Sequence, residues 1–411
     1  AGAGTGAAQG VELAEAVRGE FPALLDHEGA VFADGAGGSQ VHRSVLEAVT
    51  QQLRRGAANI GGSYPTSERC LTTTRGARAA AADLLNCSPR EVTFGNNMTT
   101  LAFHVAHALA AADFAAGDNI VLSRLDHHAN VGPWARLAAD RGLEVRWLPV
   151  LGPDCCLDMA ALHAAVDGRT RLVALGAASN GVGTINDVRA ACEAAAAVGA
   201  VSMVDAVHWA PHGLIDVQSI GCDLLACSPY KFFGPHAGLL YGRAGLMERL
   251  VPYKIEPAGD ELPSAASYEL SRWELGTQNF EALAGIEACI EYVASLGERF
   301  GGVPAEATRR ERIAGGWHAV EEQERMLKRT FLEGAKHVRG LSVLGIAEPE
   351  REAERTATFA VRKDGRSPEE LARGLCERGV YCTSGNHYCT FWKDALSLSN
   401  EDGAARLGFL H

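Results

Sequence analysis

Between residues 91 and 241, short β-rich runs alternate with Ala/Leu-rich stretches of helical period, and few folds accommodate that rhythm. The runs are 91–94 (EVTF), 119–123 (NIVLS), 144–150 (EVRWLPV), 171–176 (RLVALG), 200–204 (AVSMV), 223–227 (DLLAC) and 237–241 (AGLLY). The helical stretches are 98–112, 132–141, 158–166 and 187–198. Such alternation predicts an α/β fold with a mostly parallel, doubly wound sheet of seven strands and helices on both faces. The last two runs are joined by a short Gly/Pro turn, so one antiparallel strand is expected.

Ligands of such sheets sit at the carboxyl ends of the strands. The residues there are "GNNMTT" (95–100), "RLDHHAN" (124–130), "AASNGVGT" (177–184), "DAVHWAPH" (205–212) and "SPYK" (228–231). They hold His, Asn, Thr, Ser, Asp and Lys, and their convergence on one edge predicts a site. Lys231 stands where an apolar strand ends, beside Tyr230, Phe232 and Phe233. A lysine in apolar company is costly unless it is paired or used. With a lowered pKa it can form a Schiff base, and the commonest cofactor that uses one is pyridoxal phosphate.

That cofactor needs a lysine on its aldehyde, a carboxylate on its pyridine nitrogen, a face to stack on and a phosphate cup. Asp205 can supply the carboxylate, and His127 or His128 can stack on the ring. A helix start after Asn96, with the Thr99 hydroxyl and Ser228, suits a phosphate. Singly, each has an ordinary alternative: a turn residue at Asp205, simple N-capping at Thr99–Thr100, a solvated histidine pair. Together and in chain order they favour the cofactor. No G-x-G-x-x-G follows the first strand, which excludes the nicotinamide-binding fingerprint.

Further segments carry a resemblance: "FADGAGGSQ" (32–40), "YPTSER" (64–69), "FGNNMTT" (94–100), "LDHHANVGPW" (125–134), "SNGVGTIND" (179–187), "MVDAVHWAPH" (203–212), "SPYKFFGPHAGLLYGR" (228–243) and "ELGTQNFEALAG" (274–285). From about residue 30 onward the chain resembles the class V aminotransferase family of fold-type I pyridoxal phosphate enzymes. It is most similar to the cysteine desulfurase/selenocysteine lyase branch, and within it to the desulfurase-like subgroup without the usual loop cysteine. The resemblance implies that Lys231 forms the internal aldimine, Asp205 pairs with the pyridine nitrogen and His127 stacks on the ring. Thr99, Ser228 and the backbone near Met98 would hold the phosphate, and Asn180 would sit near the ring hydroxyl or the substrate. Thr277 would reach the phosphate of a neighbouring subunit's cofactor, which implies a homodimer with shared sites. Arg406 would grip the substrate carboxylate in bidentate fashion.

The chain also departs from the family pattern. His208 replaces a glutamine and retains the capacity to donate to the ring hydroxyl. Tyr230 replaces a phosphate-side histidine, Asp126 a glutamate, and Thr383 an arginine of the C-terminal loop "GVYCTSGNHYCTFW" (379–392). Aligned on Gly385, the desulfurase nucleophile falls on Tyr388, and the nearest thiols are Cys389 and Cys382. Cys389 serves as nucleophile if the loop carries a one-residue shift; otherwise it is a partly buried loop thiol.

These features predict a fold-type I transferase: a partly disordered N-terminal segment (1–30), a large cofactor domain (31–285) and a small C-terminal α+β domain (286–411). The small domain is expected to hold helices at 280–296, 305–338 and 367–378 and strand-like pieces at 341–345, 356–362 and 404–411. The chain stops while still strand-like, so a short tail is missing or the domain ends abruptly. Net charge of −12 argues against nucleic-acid or anionic-membrane partners. No apolar run reaches membrane-spanning length, and no Cys/His set has metal-site spacing. Eleven scattered cysteines read as free thiols of a reducing compartment. That compartment is read as the cytoplasm, or an organelle lumen if a targeting peptide was removed.

The expected activity is cysteine desulfurase-like or Cβ–S lyase chemistry on a small amino acid, with any sulfur acceptor unnamed. The alternatives are a pyridoxal phosphate aminotransferase or epimerase, or a non-catalytic pyridoxal phosphate-binding protein.

Overall fold

A computed structural model describes residues 13–111, 114–255, 261–263, 272–390, 392–399 and 403–410. The low-complexity residues 1–10 and the terminal His411 lie outside the described residues.

The main sheet has seven strands: β1 (Val92–Gly95), β2 (Asn119–Ser123), β3 (Glu144–Leu148), β4 (Thr170–Gly176), β5 (Val201–Asp205), β6 (Leu224–Cys227) and β7 (Gly238–Gly242). Their order is β1-β7-β6-β5-β4-β2-β3. Only β7 is antiparallel to its neighbours, β1 and β6. The inner strands are mostly apolar because both faces are covered, whereas the edge strand β3 carries Glu144 and Arg146 and is only partly buried. Leu225 packs into one core cluster, whereas Leu224 and Ala226 pack into the other.

The expected strand 144–150 stops at Leu148. Pro149 has no N–H to continue the ladder, and Val150–Leu151 instead pairs with Cys156–Leu157 in a small hairpin. Among the described residues, eight longer helices surround the sheets: α1 (Arg43–Arg54), α2 (Pro65–Leu85), α3 (Met98–Ala110), α4 (Gly132–Arg141), α5 (Val188–Ala197), α6 (Phe280–Arg299), α7 (Arg309–Lys336) and α8 (Pro368–Cys376). Sequence reading missed α1 and α2. For α2 the signals were Pro65 at its first turn and Asn86 as a left-handed C-cap at φ 59°. Helix α7 starts at Arg309, later than expected, because Thr308 and Glu311 close a capping box there.

A second, antiparallel sheet comprises β8 (Leu341–Leu344), β9 (Thr358–Lys363), β10 (Thr383–Gly385) and β11 (Ala404–Gly408), in the order β8-β9-β11-β10. Its core gathers Leu332, Phe359, Val361, Ala372, Ala405 and Leu407, with Phe331 stacked on Phe359. Two short strands, Val31–Phe32 and Val380–Tyr381, pair in parallel and tie the N-terminal segment to this smaller C-terminal domain. The expected boundary at residue 285 falls within α6, which packs on α1, α2 and α7. No described helix is long and apolar enough to cross a membrane.

Candidate active site

The parallel strands end in register, so their last residues lie side by side. Gly176 at the end of β4 pairs with Asp205 at the end of β5, and Asp205 with Ala226 of β6. A cavity of about 240 Å³ opens at this edge. Met98, Thr99, His127, Asn180, Asp205, His208, Ser228, Tyr230, Lys231 and Arg406 all line it. Of the expected site residues, only Thr277 and Cys389 do not.

Lys231 is fixed from both sides. Its backbone closes a 3-10 turn, Pro229–Lys231, which the buried Phe232 and the left-handed Phe233 (φ 73°) terminate. The loop 33–40 straps that turn: the Ser39 N–H donates to the Tyr230 carbonyl (3.0 Å), and the Phe233 N–H donates to Ser39 Oγ (2.6 Å). Lys231 Nζ donates to the carbonyls of Ala36 (2.5 Å) and Gly37 (3.0 Å). Burial, assisted by the nearby Arg406 charge, lowers its pKa to about 7, although Asp34 and Asp205 pull the other way. Its amine is therefore available unprotonated near neutrality.

Asp205 ends β5 and accepts from the Val207 N–H (2.9 Å), and burial raises its pKa to about 6. His127 Nδ1 accepts from the Ala129 N–H (3.0 Å), which leaves the proton on Nε2. Burial and the Lys231 charge lower its pKa to about 4, so the ring is a neutral imidazole. The start of α3 is held by an Asn97–Thr100 capping box, and the Met98 N–H donates to Ser228 Oγ (3.1 Å). That contact brings the two expected phosphate-side elements together. His208 Nε2 pairs with Thr356 Oγ1 (3.2 Å), so its Nδ1, which has no partner among the described residues, remains to meet a ring hydroxyl.

Arg406 lies in β11 and reaches the cavity from the C-terminal sheet. It donates to the Asn180 carbonyl (3.0 Å) and approaches the Asp34 carboxylate (3.5 Å). Sequence reading gave no site role to Asp34, Asp126 or Thr356. Asp126 is buried in the cavity wall and accepts from Asn130 Nδ2 and the Gly176 N–H, both at 2.8 Å; burial pushes its pKa up to about 7. The place of Asp126 in "LDHH" was its only signal, and Asp34 sits in the quoted loop "FADGAGGSQ".

Two expected residues lie elsewhere. Cys389 is buried, its Sγ donates to Asn180 Oδ1 (3.2 Å), and burial pushes its pKa up to about 12. Tyr388, not Cys389, lines the cavity. Thr277 lines a separate cavity with Asn96 and Thr100, next to the start of α3.

The donor set fits a phosphorylated pyridine aldehyde. Among the described residues, Asp126 Oδ1, His208 Nδ1 and Arg406 Nε are buried atoms without hydrogen-bond partners, all on residues of this one cavity. A ligand here meets a neutral amine, a buried carboxyl and helix-terminal donors, as pyridoxal phosphate requires. This requirement, on a seven-stranded doubly wound sheet, defines the class: a fold-type I pyridoxal phosphate enzyme.

Comparison with known proteins narrows the class. The sequence model of the aminotransferase class-V family matches residues 31–300. A cysteine desulfurase of Pectobacterium carotovorum subsp. carotovorum (strain PC1) is 31% identical over 347 residues, covering 81% of this chain and 80% of that protein. An aminotransferase-like protein, FGM3, of Gibberella zeae is 30% identical and covers 97% and 94% of the two chains. The apo structure of a cysteine desulfurase from Thermococcus onnurineus NA1 superposes with a TM-score of 0.83 at 26% identity, over 96% of this chain and 92% of that one. The chain thus belongs to the aminotransferase class-V family, whose members use pyridoxal phosphate.

Proposed function

We propose that the chain is a pyridoxal phosphate-dependent enzyme acting on a small amino acid at its Cβ–S bond. The observation that carries this reading is Lys231, buried among strand ends with its pKa lowered to about 7. When bound, the cofactor supplies an electron sink for bonds at the substrate's Cα and Cβ. Asp205 would face the pyridine nitrogen and His127 the ring. Ser228, Thr99 and the backbone at Met98 would hold the phosphate. Arg406 orients the substrate carboxylate through a planar guanidinium whose Nε has no hydrogen-bond partner among the described residues. Lys231 Nζ takes the proton from Cα. Tyr230 is stacked on His236 (4.9 Å) with Lys231 Nζ 5.1 Å from its ring, and it limits where the amine can swing.

The burial of Cys389 supports β-elimination over transfer of sulfur to a protein thiol, because the thiolate is the nucleophile and this thiol is held protonated. Thr277 lies outside the Lys231 cavity of its own chain, which supports the homodimer with shared sites. All eleven cysteines are free, which supports a reducing compartment such as the cytoplasm.

The test is product analysis with L-cysteine, cysteine sulfinate and selenocysteine. Pyruvate with release of the β-substituent is the expected outcome. Transamination of these amino acids with no cleavage at Cβ would contradict it.

A further inference from the structure

Tyr388 lines the cavity while its side chain is 71% exposed, so it marks the mouth. Its backbone is not free. His387 and Tyr388 are successive non-glycine residues in the left-handed region, at φ 52° and 58°. Such strain persists only where surrounding contacts hold it, and it points toward function. Here the contacts are explicit. The His128 N–H donates to the Tyr388 carbonyl (2.9 Å), the Tyr388 N–H to Asn386 Oδ1 (3.0 Å), and Asn180 Nδ2 to the His387 carbonyl (2.8 Å). The same arrangement turns Cys389 inward onto Asn180 and leaves the Tyr388 ring 5.2 Å from the His127 ring.

We propose that Tyr388 is the wall against which the substrate side chain lies, and that the substrate is an S-substituted cysteine, a thioether, in preference to free cysteine. This rests on the Cβ–S reading above. No cysteine lines the cavity among the described residues, so sulfur leaves with whatever substituent it carries. An aromatic ring held at the mouth offers a thioether a sulfur–aromatic contact and gives its substituent apolar cover. A free thiol offers little for such a ring to cover. The step balances without an external oxidant or reductant. The Cα proton passes to Lys231 Nζ, the Cβ–S electron pair leaves with sulfur, and the departing thiolate takes a proton from water at the mouth. Net, RSCH2CH(NH3+)COO− and water give RSH, pyruvate and ammonium.

The test separates binding from turnover. Calorimetry would measure S-benzyl-L-cysteine and L-cysteine on cofactor-loaded Lys231→Ala protein, which cannot take the Cα proton. Adding Tyr388→Ala is expected to weaken S-benzyl-L-cysteine about tenfold, the scale of one lost sulfur–aromatic contact, and L-cysteine by less than about twofold. Tyr388→Phe is expected to keep most of the affinity. The native protein should release benzyl thiol and pyruvate from the same compound. Unchanged S-benzyl-L-cysteine affinity in Tyr388→Ala would overturn the proposal, as would conversion of L-cysteine to alanine with a persulfide on the protein. Failure of the underlying reading looks different: S-benzyl-L-cysteine binds and is transaminated by the native protein with no benzyl thiol released, which removes the inference as well.

Discussion

The ammonium of Lys231 sits against two loop carbonyls, beside a buried arginine, where burial favours the uncharged amine. A lysine whose folded pKa is lowered is neutral and nucleophilic above that pKa. In cofactor-free protein, amine-specific labelling of Lys231 followed by mass spectrometry should therefore rise through about pH 7. A rise only near the ordinary lysine range would refute the electrostatics of the site. Lys231 and Asp205 were legible because each is a polar residue closing an apolar run. Arg406 was legible only through family likeness, since 175 positions separate it from Lys231 and the second sheet alone brings it back. The facing of Tyr388 and Cys389 was not legible. It depends on two left-handed residues for which neither His387 nor Tyr388 gives a signal, unlike a glycine.

Among elements, the main sheet followed from its rhythm, because strands buried on both faces must be continuous apolar runs. The long α6–α7 pair was legible as helices, but its close approach was not. At the crossing, Gly316 of α7 lies against the Val293 carbonyl of α6, and a Cβ there would clash with backbone that cannot rotate away. Gly316→Ala is expected to lower stability by about 1–3 kcal/mol in chemical or thermal unfolding, because relief requires the helices to part. Gly334 lies in the same helix with open space around it, and Gly334→Ala should gain up to about 1 kcal/mol from helix propensity. Equal responses at the two positions would show that the crossing does not constrain stability.

In the whole molecule, the main sheet presents strand ends while the C-terminal sheet delivers Arg406, and the loop 33–40 that follows Val31–Phe32, itself paired with Val380–Tyr381, straps the Lys231 turn. Sequence rhythm reveals the main sheet, and for the second only strand-like pieces at 341–345, 356–362 and 404–411, without strand Thr383–Gly385 or the apposition of the two sheets, which rests on contacts between residues far apart in the chain. On this reading, the apposition builds a pyridoxal phosphate site on Lys231. The most direct measurement is borohydride reduction of the protein after incubation with the cofactor, followed by peptide mass mapping. The expected result is a yellow protein that bleaches on reduction and carries the cofactor's mass on the peptide containing Lys231, with no such adduct in Lys231→Ala. A protein that stays colourless, or an adduct on another lysine with Lys231 unmodified, would contradict it.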